Sequence, residues 1–96
     1  MVALSDIRAK RNDIIRICES HGGHDIRVFG SVLRGQARED SDIDFLIRLD
    51  ADRSLVDHAA IIRQLQELLG QKVDVVPESS LHRVIRGQVL REARPL

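Results

Sequence analysis

The stretch Gly30–Asp44, GSVLRGQAREDSDID, joins the end of one short apolar run (Ile26, Val28, Phe29) to the start of another (Ile43, Phe45, Leu46, Ile47). Short apolar runs bounded by glycine, serine and aspartate predict two β-strands, over 25 to 29 and 42 to 49. Within the second, Ile43, Phe45, Ile47 and Leu49 alternate with Asp42, Asp44, Leu46 and Arg48, the period of a strand with two distinct faces. The loop 31 to 41 has space for a short helix but is too short for the usual parallel crossover, so it predicts antiparallel neighbours.

The flanking sequence supplies the remaining elements. Residues 4 to 20 place Leu4, Ile7, Ile14, Ile15 and Cys18 at near-helical spacing, which predicts one amphipathic helix ending at Gly22-Gly23. Ser54 and Asp57 form a capping-box-like start for a helix carrying Leu55, Ala59, Ile62, Leu65, Leu68 and Leu69 and ending at Gly70. KVDVV, Lys72 to Val76, predicts a third strand ended by Pro77. Ser79 or Ser80 is placed to cap a last helix holding Leu81, Val84, Ile85, Val89 and Leu90, which stops before Pro95. A full helix separates the second and third strands, so these can lie parallel through a right-handed crossover. The expected fold is mixed α+β: a small three-stranded mixed sheet with helices packed against it, in one domain spanning 1–96.

Composition narrows the function classes. Fifteen basic residues balance fifteen acidic ones, and aromatics make up 2% of the chain. Neither a basic field nor stacking platforms point to nucleic acid, so no direct nucleic-acid binding is expected. No apolar stretch approaches the roughly 20 residues of a membrane span. The lone Cys18 has no internal disulfide partner, and charge from Asp6 and Arg8 onward breaks any leader-like run. A cytoplasmic protein with no membrane partner is expected.

The chemistry concentrates in the opening stretch. Asp42 and Asp44, two apart on a strand, project from one face, and like charges held together call for a cation or a proton. Asp74, between Val73 and Val75, is the acid inside the third strand. With that strand parallel to the second, Asp74 falls beside the pair, and three carboxylates suit two Mg²⁺ ions about 3.5–4 Å apart. Gly30 permits close backbone approach to a ligand, and Ser31 adds a hydroxyl donor to free N–H groups at a helix start. Arg34 lies one turn on, as either a phosphate-neutralising group or an ordinary surface arginine. Gly35 lets the chain turn back toward the second strand.

Gly30-Ser31, ten residues, then Asp42-Ile43-Asp44 resembles the GS…DxD signature of the polymerase-β-like nucleotidyltransferases. The fuller GSxxRGxxxxxSDxDxL, matched from Gly30 to Leu46, resembles the minimal nucleotidyltransferase (MNT) antitoxins of HEPN–MNT toxin–antitoxin pairs. The likeness extends through KVDVV and the tail VLREARPL. It implies a prokaryotic, cytoplasmic enzyme that moves AMP from Mg-ATP to a tyrosine hydroxyl of a cognate HEPN RNase toxin, within a hetero-oligomer. It also implies that Asp42 and Asp44 bind Mg²⁺, that Asp74 binds metal or acts as general base, and that Gly30 and Ser31 hold the triphosphate. Two alternatives stand beside this reading: an antitoxin that blocks its toxin by contact alone, and a small-molecule nucleotidyltransferase. The assigned elements leave no residues for an acceptor-binding domain, which favours a protein that presents its own hydroxyl.

Other polar residues read as structural. His21-Gly-Gly-His24 is a turn lacking further ligands, Asp50 and Asp52 follow their strand as turn residues, and Cys18 is a small core hydrophobe. His58 and His82 sit at helix starts and are expected to face solvent. Arg38, Glu39 and Asp40 are loop charges, and the arginines of the last helix form either a solvated or a partner-binding face.

Overall fold

A computed structural model describes residues 2–38 and 40–96; Glu39, expected as a loop charge, lies outside the described residues. Helices α1 (Leu4–Ala9) and α2 (Arg11–Ser20) lead into strands β1 (Gly23–Phe29) and β2 (Ile43–Leu49). Helix α3 (Leu55–Leu69), strand β3 (Val73–Pro77), a 3-10 turn (Glu78–Ser80), helix α4 (Arg83–Glu92) and strand β4 (Arg94–Pro95) follow. The sheet order is β3-β2-β1-β4, with β2 and β3 parallel and the other pairs antiparallel.

The mixed α+β architecture agrees with the sequence reading, but the sheet has four strands, not three. Arg94 and Pro95 pair with Val28 and Arg27 at the outer edge of β1. A two-residue strand containing proline carries no alternation to detect. It forms because β1 offers an unpaired edge, and an edge strand tolerates a residue without an N–H.

Each face of the sheet is covered. On one side Ile43, Phe45 and Ile47 of β2 are fully buried with Ile7, Ile14 and Cys18 of the first two helices and Ile61 and Leu65 of α3. Burial pushes the Cys18 thiol up to about 12, the behaviour of an inert core residue. On the other side Leu46 is fully buried against Val89 and Ala93, with Phe29, Val76, Leu81 and Leu90 around them. Strand alternation puts Asp44 on the same face as Leu46, which is the face that α4 covers.

Three local expectations differ from the structure. The helix expected over 4 to 20 is two helices meeting at Lys10 (φ −104°, ψ 19°). Lys10 Nζ donates to the Leu68 carbonyl at the end of α3 (3.0 Å), and Arg11 Nε donates to the Leu96 carbonyl (3.2 Å). The break therefore coincides with long-range ties that a local pattern does not reveal. Second, Ser79 and Ser80 do not cap α4. The cap is His82, whose Nδ1 accepts from the Val84 N–H (3.2 Å). The serines are held in the 3-10 turn because Arg27 Nη2 binds Glu78 Oε2 at 2.7 Å and Arg86 Nη1 binds the Glu78 carbonyl at 2.8 Å. The Arg27 hydrogen bond holds the Glu78 carboxyl below its ordinary range. Third, His58 is half-buried, its Nε2 2.6 Å from the Val75 carbonyl, while His82 is exposed as expected.

The α3 cap follows the sequence reading. Ser54 Oγ accepts from the Val56 N–H, the Asp57 carboxylate accepts from the Ser54 N–H, and Gly70 ends the helix at φ 66°. Among the described residues, no helix is long and apolar enough to cross a membrane.

Phe45 is the largest fully buried side chain, and Val84 is 83% exposed. Phe45→Ala should cost about 3–5 kcal/mol and Val84→Ser no more than about 0.5 kcal/mol in urea unfolding. Comparable losses for the two would contradict this core.

Candidate functional site

β1 and β2 bring the two halves of the opening stretch face to face. Phe29 pairs with Asp44, so Gly30, one residue past the strand, lies against the start of β2. Gly30 has φ 78°, and a Cβ placed there would overlap Asp44 Oδ2. Both the positive φ and the close carboxylate demand glycine. The chain then makes one helical turn: Arg34 N–H donates to the Gly30 carbonyl (3.2 Å) and Gln36 N–H to the Ser31 carbonyl (2.9 Å). Gly35, at φ 72°, reverses the path. The short helix expected in this loop is thus a single hydrogen-bonded turn. Like any helix start, it leaves its leading N–H groups outside the i to i+4 ladder, where an anion can accept them.

The parallel pair adds the third carboxylate. Asp44 and Asp74 are register partners on β2 and β3, and Asp42 sits immediately before β2. The start of β2 is held by the Ile43 N–H donating to the Lys72 carbonyl (3.0 Å) and by Gln71 Nε2 donating to the Ser41 carbonyl (2.7 Å). Asp42 and Asp74 are exposed, whereas Asp44 is half-buried. Burial first, then the Asp74 and Asp42 charges, push the Asp44 carboxyl up to about 6; Arg34 opposes the rise and Glu92 adds to it.

The donor set suits a hard divalent cation. All three groups are carboxylates, and the negative field at Asp44 is the kind that such a cation relieves. The three stand as neighbours around Asp44, not as a closed cluster: among the described residues no three His, Cys, Asp or Glu side chains converge as a ready-made metal site. Open carboxylates at a strand start fit Mg²⁺, which keeps water and phosphate oxygens among its ligands.

Of the residues singled out from the sequence, Gly30, Ser31, Asp42, Asp44 and Asp74 gather at the ends of β1, β2 and β3. Arg34 joins them with its guanidinium engaged: Nη1 binds Glu92 Oε1 and Nε binds Gln36 Oε1 at 3.2 Å. Glu92 is the residue that sequence reasoning missed. It ends α4 and accepts a second hydrogen bond from the Gly30 N–H (3.2 Å). Nothing local in REARPL marks it; its position follows from the way α4 crosses the Leu46 face. His21 and His24 do not combine. His21 lies 3.4 Å from Asp57 and 3.1 Å from Gln64, and His24 lies 3.0 Å from Asp50.

The Gly30 turn faces Asp44 across the antiparallel pair, and Asp74 stands beside Asp44 across the parallel pair, as the sequence reading expects. The nucleotidyltransferase domain family model matches residues 11–96, and the chain belongs to that family of enzymes. It is 45% identical over 74 residues to the protein adenylyltransferase MntA of Thermococcus cleftensis, covering 77% of this chain and 75% of that protein. A solved structure provisionally described as a minimal nucleotidyltransferase superposes with TM-score 0.89 at 48% identity, over 99% of this chain and 97% of the other. A toxin–antitoxin structure solved with AMP-PNP shares the fold, with TM-score 0.74 at 24% identity over 88% of this chain and 70% of that one.

The raised Asp44 carboxyl makes a pH prediction. A group with a folded value near 6 against an ordinary 3.8 contributes stability below 3.8 that is lost as pH rises through about 6. In metal-free solution, Asp44→Asn should therefore melt higher than the parent protein above pH 6, with the advantage vanishing toward pH 3.8. Mg²⁺ should narrow the gap by raising the parent's melting temperature. Melting curves with a gap independent of pH and Mg²⁺ would contradict the charge crowding at Asp44.

Proposed function

We propose that this chain is an antitoxin that transfers AMP from Mg-ATP to a hydroxyl, by resemblance a tyrosine hydroxyl, of a cognate HEPN toxin, silencing it. The observation that carries the reading is the Asp44–Asp74 register pair, with Asp42 beside it and the Gly30–Ser31 turn opposite. The likeness to the adenylyltransferase MntA points to AMP as the group moved, and the shared fold with a toxin–antitoxin structure points to a protein acceptor.

In this reading, Asp42 and Asp44 hold one or two Mg²⁺ ions, with Asp74 contributing. Bound metal would supply the positive charge that the triphosphate requires. The turn from Gly30 to Leu33 offers N–H groups and the Ser31 hydroxyl to the phosphates, and Arg34 neutralises further phosphate charge. Asp74 takes the proton from the acceptor hydroxyl. The acceptor oxygen bonds to the α-phosphorus, the bond from that phosphorus to the bridging oxygen breaks, and pyrophosphate leaves with the bond's electrons. We also place the whole activity in one domain, residues 1–96, working in the cytoplasm.

Incubating the protein with its toxin and Mg-ATP, then weighing the toxin by mass spectrometry, tests this. The expected result is a mass gain of one or more AMP units with loss of toxin activity. Asp44→Asn should slow the gain by about a hundredfold or more, the scale on which lost electrostatic stabilisation acts at a reacting centre. Silencing without added mass would replace transfer with blockade by contact.

A further inference from the structure

We infer that Glu92 sets the affinity of the site for triphosphate, because its carboxylate occupies the two donors that phosphates would engage. The inference rests on the nucleotidyl-transfer reading and adds a residue to it. One oxygen, Glu92 Oε1, accepts from both the Gly30 N–H (3.2 Å) and Arg34 Nη1. These donors belong to the turn assigned to phosphate, so Glu92 stands where a phosphate oxygen would stand.

The surroundings of the carboxylate act on it in both directions. Glu92 is the last residue of α4, and the C-terminus of a helix carries partial negative charge that disfavours an anion. Its carboxylate also adds to the negative field that Asp42 and Asp74 impose on Asp44. The opposing interactions are the Gly30 N–H and the Arg34 guanidinium. With 20% side-chain exposure against 48% for Arg34, Glu92 is the more enclosed partner, held by α4 and the β4 tail that directly follows it. A triphosphate that takes the two donors leaves Glu92 as a nearby like charge. The penalty grows with the number of phosphate charges brought in, so Glu92 weakens ATP more than AMP.

Titration calorimetry with ATP and with AMP, each with Mg²⁺, tests this on the parent protein, Glu92→Gln and Glu92→Asp. Glu92→Gln should tighten ATP by about three- to tenfold and AMP by much less, whereas Glu92→Asp, which keeps the charge, should stay near the parent. Equal or weaker ATP binding by a folded Glu92→Gln overturns the inference and leaves the transfer reading standing. A parent protein that binds neither nucleotide overturns both. Amide spectra of the parent protein provide an arm that needs no variant. Saturating Mg-AMP-PNP should shift Gly30 together with Val89–Ala93, and a Gly30 shift with an unmoved end of α4 would overturn the inference.

Discussion

The site depends on one crowded contact, the Asp44 carboxylate wedged between the backbone of Gly30 and its register partner Asp74. A carboxylate half-removed from water beside two others is an unfavourable arrangement, and its pKa near 6 is the measure of that. Most of the fold can be understood as holding it. The residue after β1 is a glycine with no Cβ to collide, β3 carries Asp74 alongside, and Phe45, Ile43 and Ile47 anchor β2 in the core beneath. On the proposed reading stability and function pull against each other here: the burial and the neighbouring charges that raise the Asp44 carboxyl are what would recommend the site to a cation.

Much of this was legible in the sequence because its causes are local. The alternation Ile43, Phe45, Ile47 fixes which face of β2 packs into the larger core against the first three helices, and a one-residue slip would put Asp44 there. The 31 to 41 loop length favours antiparallel pairing, and the full α3 helix permits a parallel β3, so the sequence alone places Asp74 beside Asp44. Gly30 could be singled out too, because a glycine at a strand exit next to polar residues signals close backbone approach.

What escaped was non-local. The fourth strand is two residues long and owes its existence to an open edge of β1. The break at Lys10 coincides with contacts to the ends of α3 and of the chain. Glu78 draws Arg27 and Arg86 together from distant positions and thereby moves the α4 cap from the serines to His82. Glu92 reaches Gly30 across 62 residues of sequence. In each case the deciding partner lies outside the local segment, and neither periodicity nor capping rules carry that information. The resemblance to nucleotidyltransferases pointed to the acids and to the Gly30–Ser31 turn but gave no sign that Glu92 reaches that turn.

The most direct measurement of the central claim is an anomalous diffraction map from crystals grown with Mn²⁺, in place of Mg²⁺, and AMP-PNP. The account predicts a metal peak bound by Asp42 and Asp44 and shared with phosphate oxygens that lie over the Gly30–Leu33 turn. A nucleotide bound elsewhere, or a metal peak that leaves both aspartates uncoordinated, would contradict it.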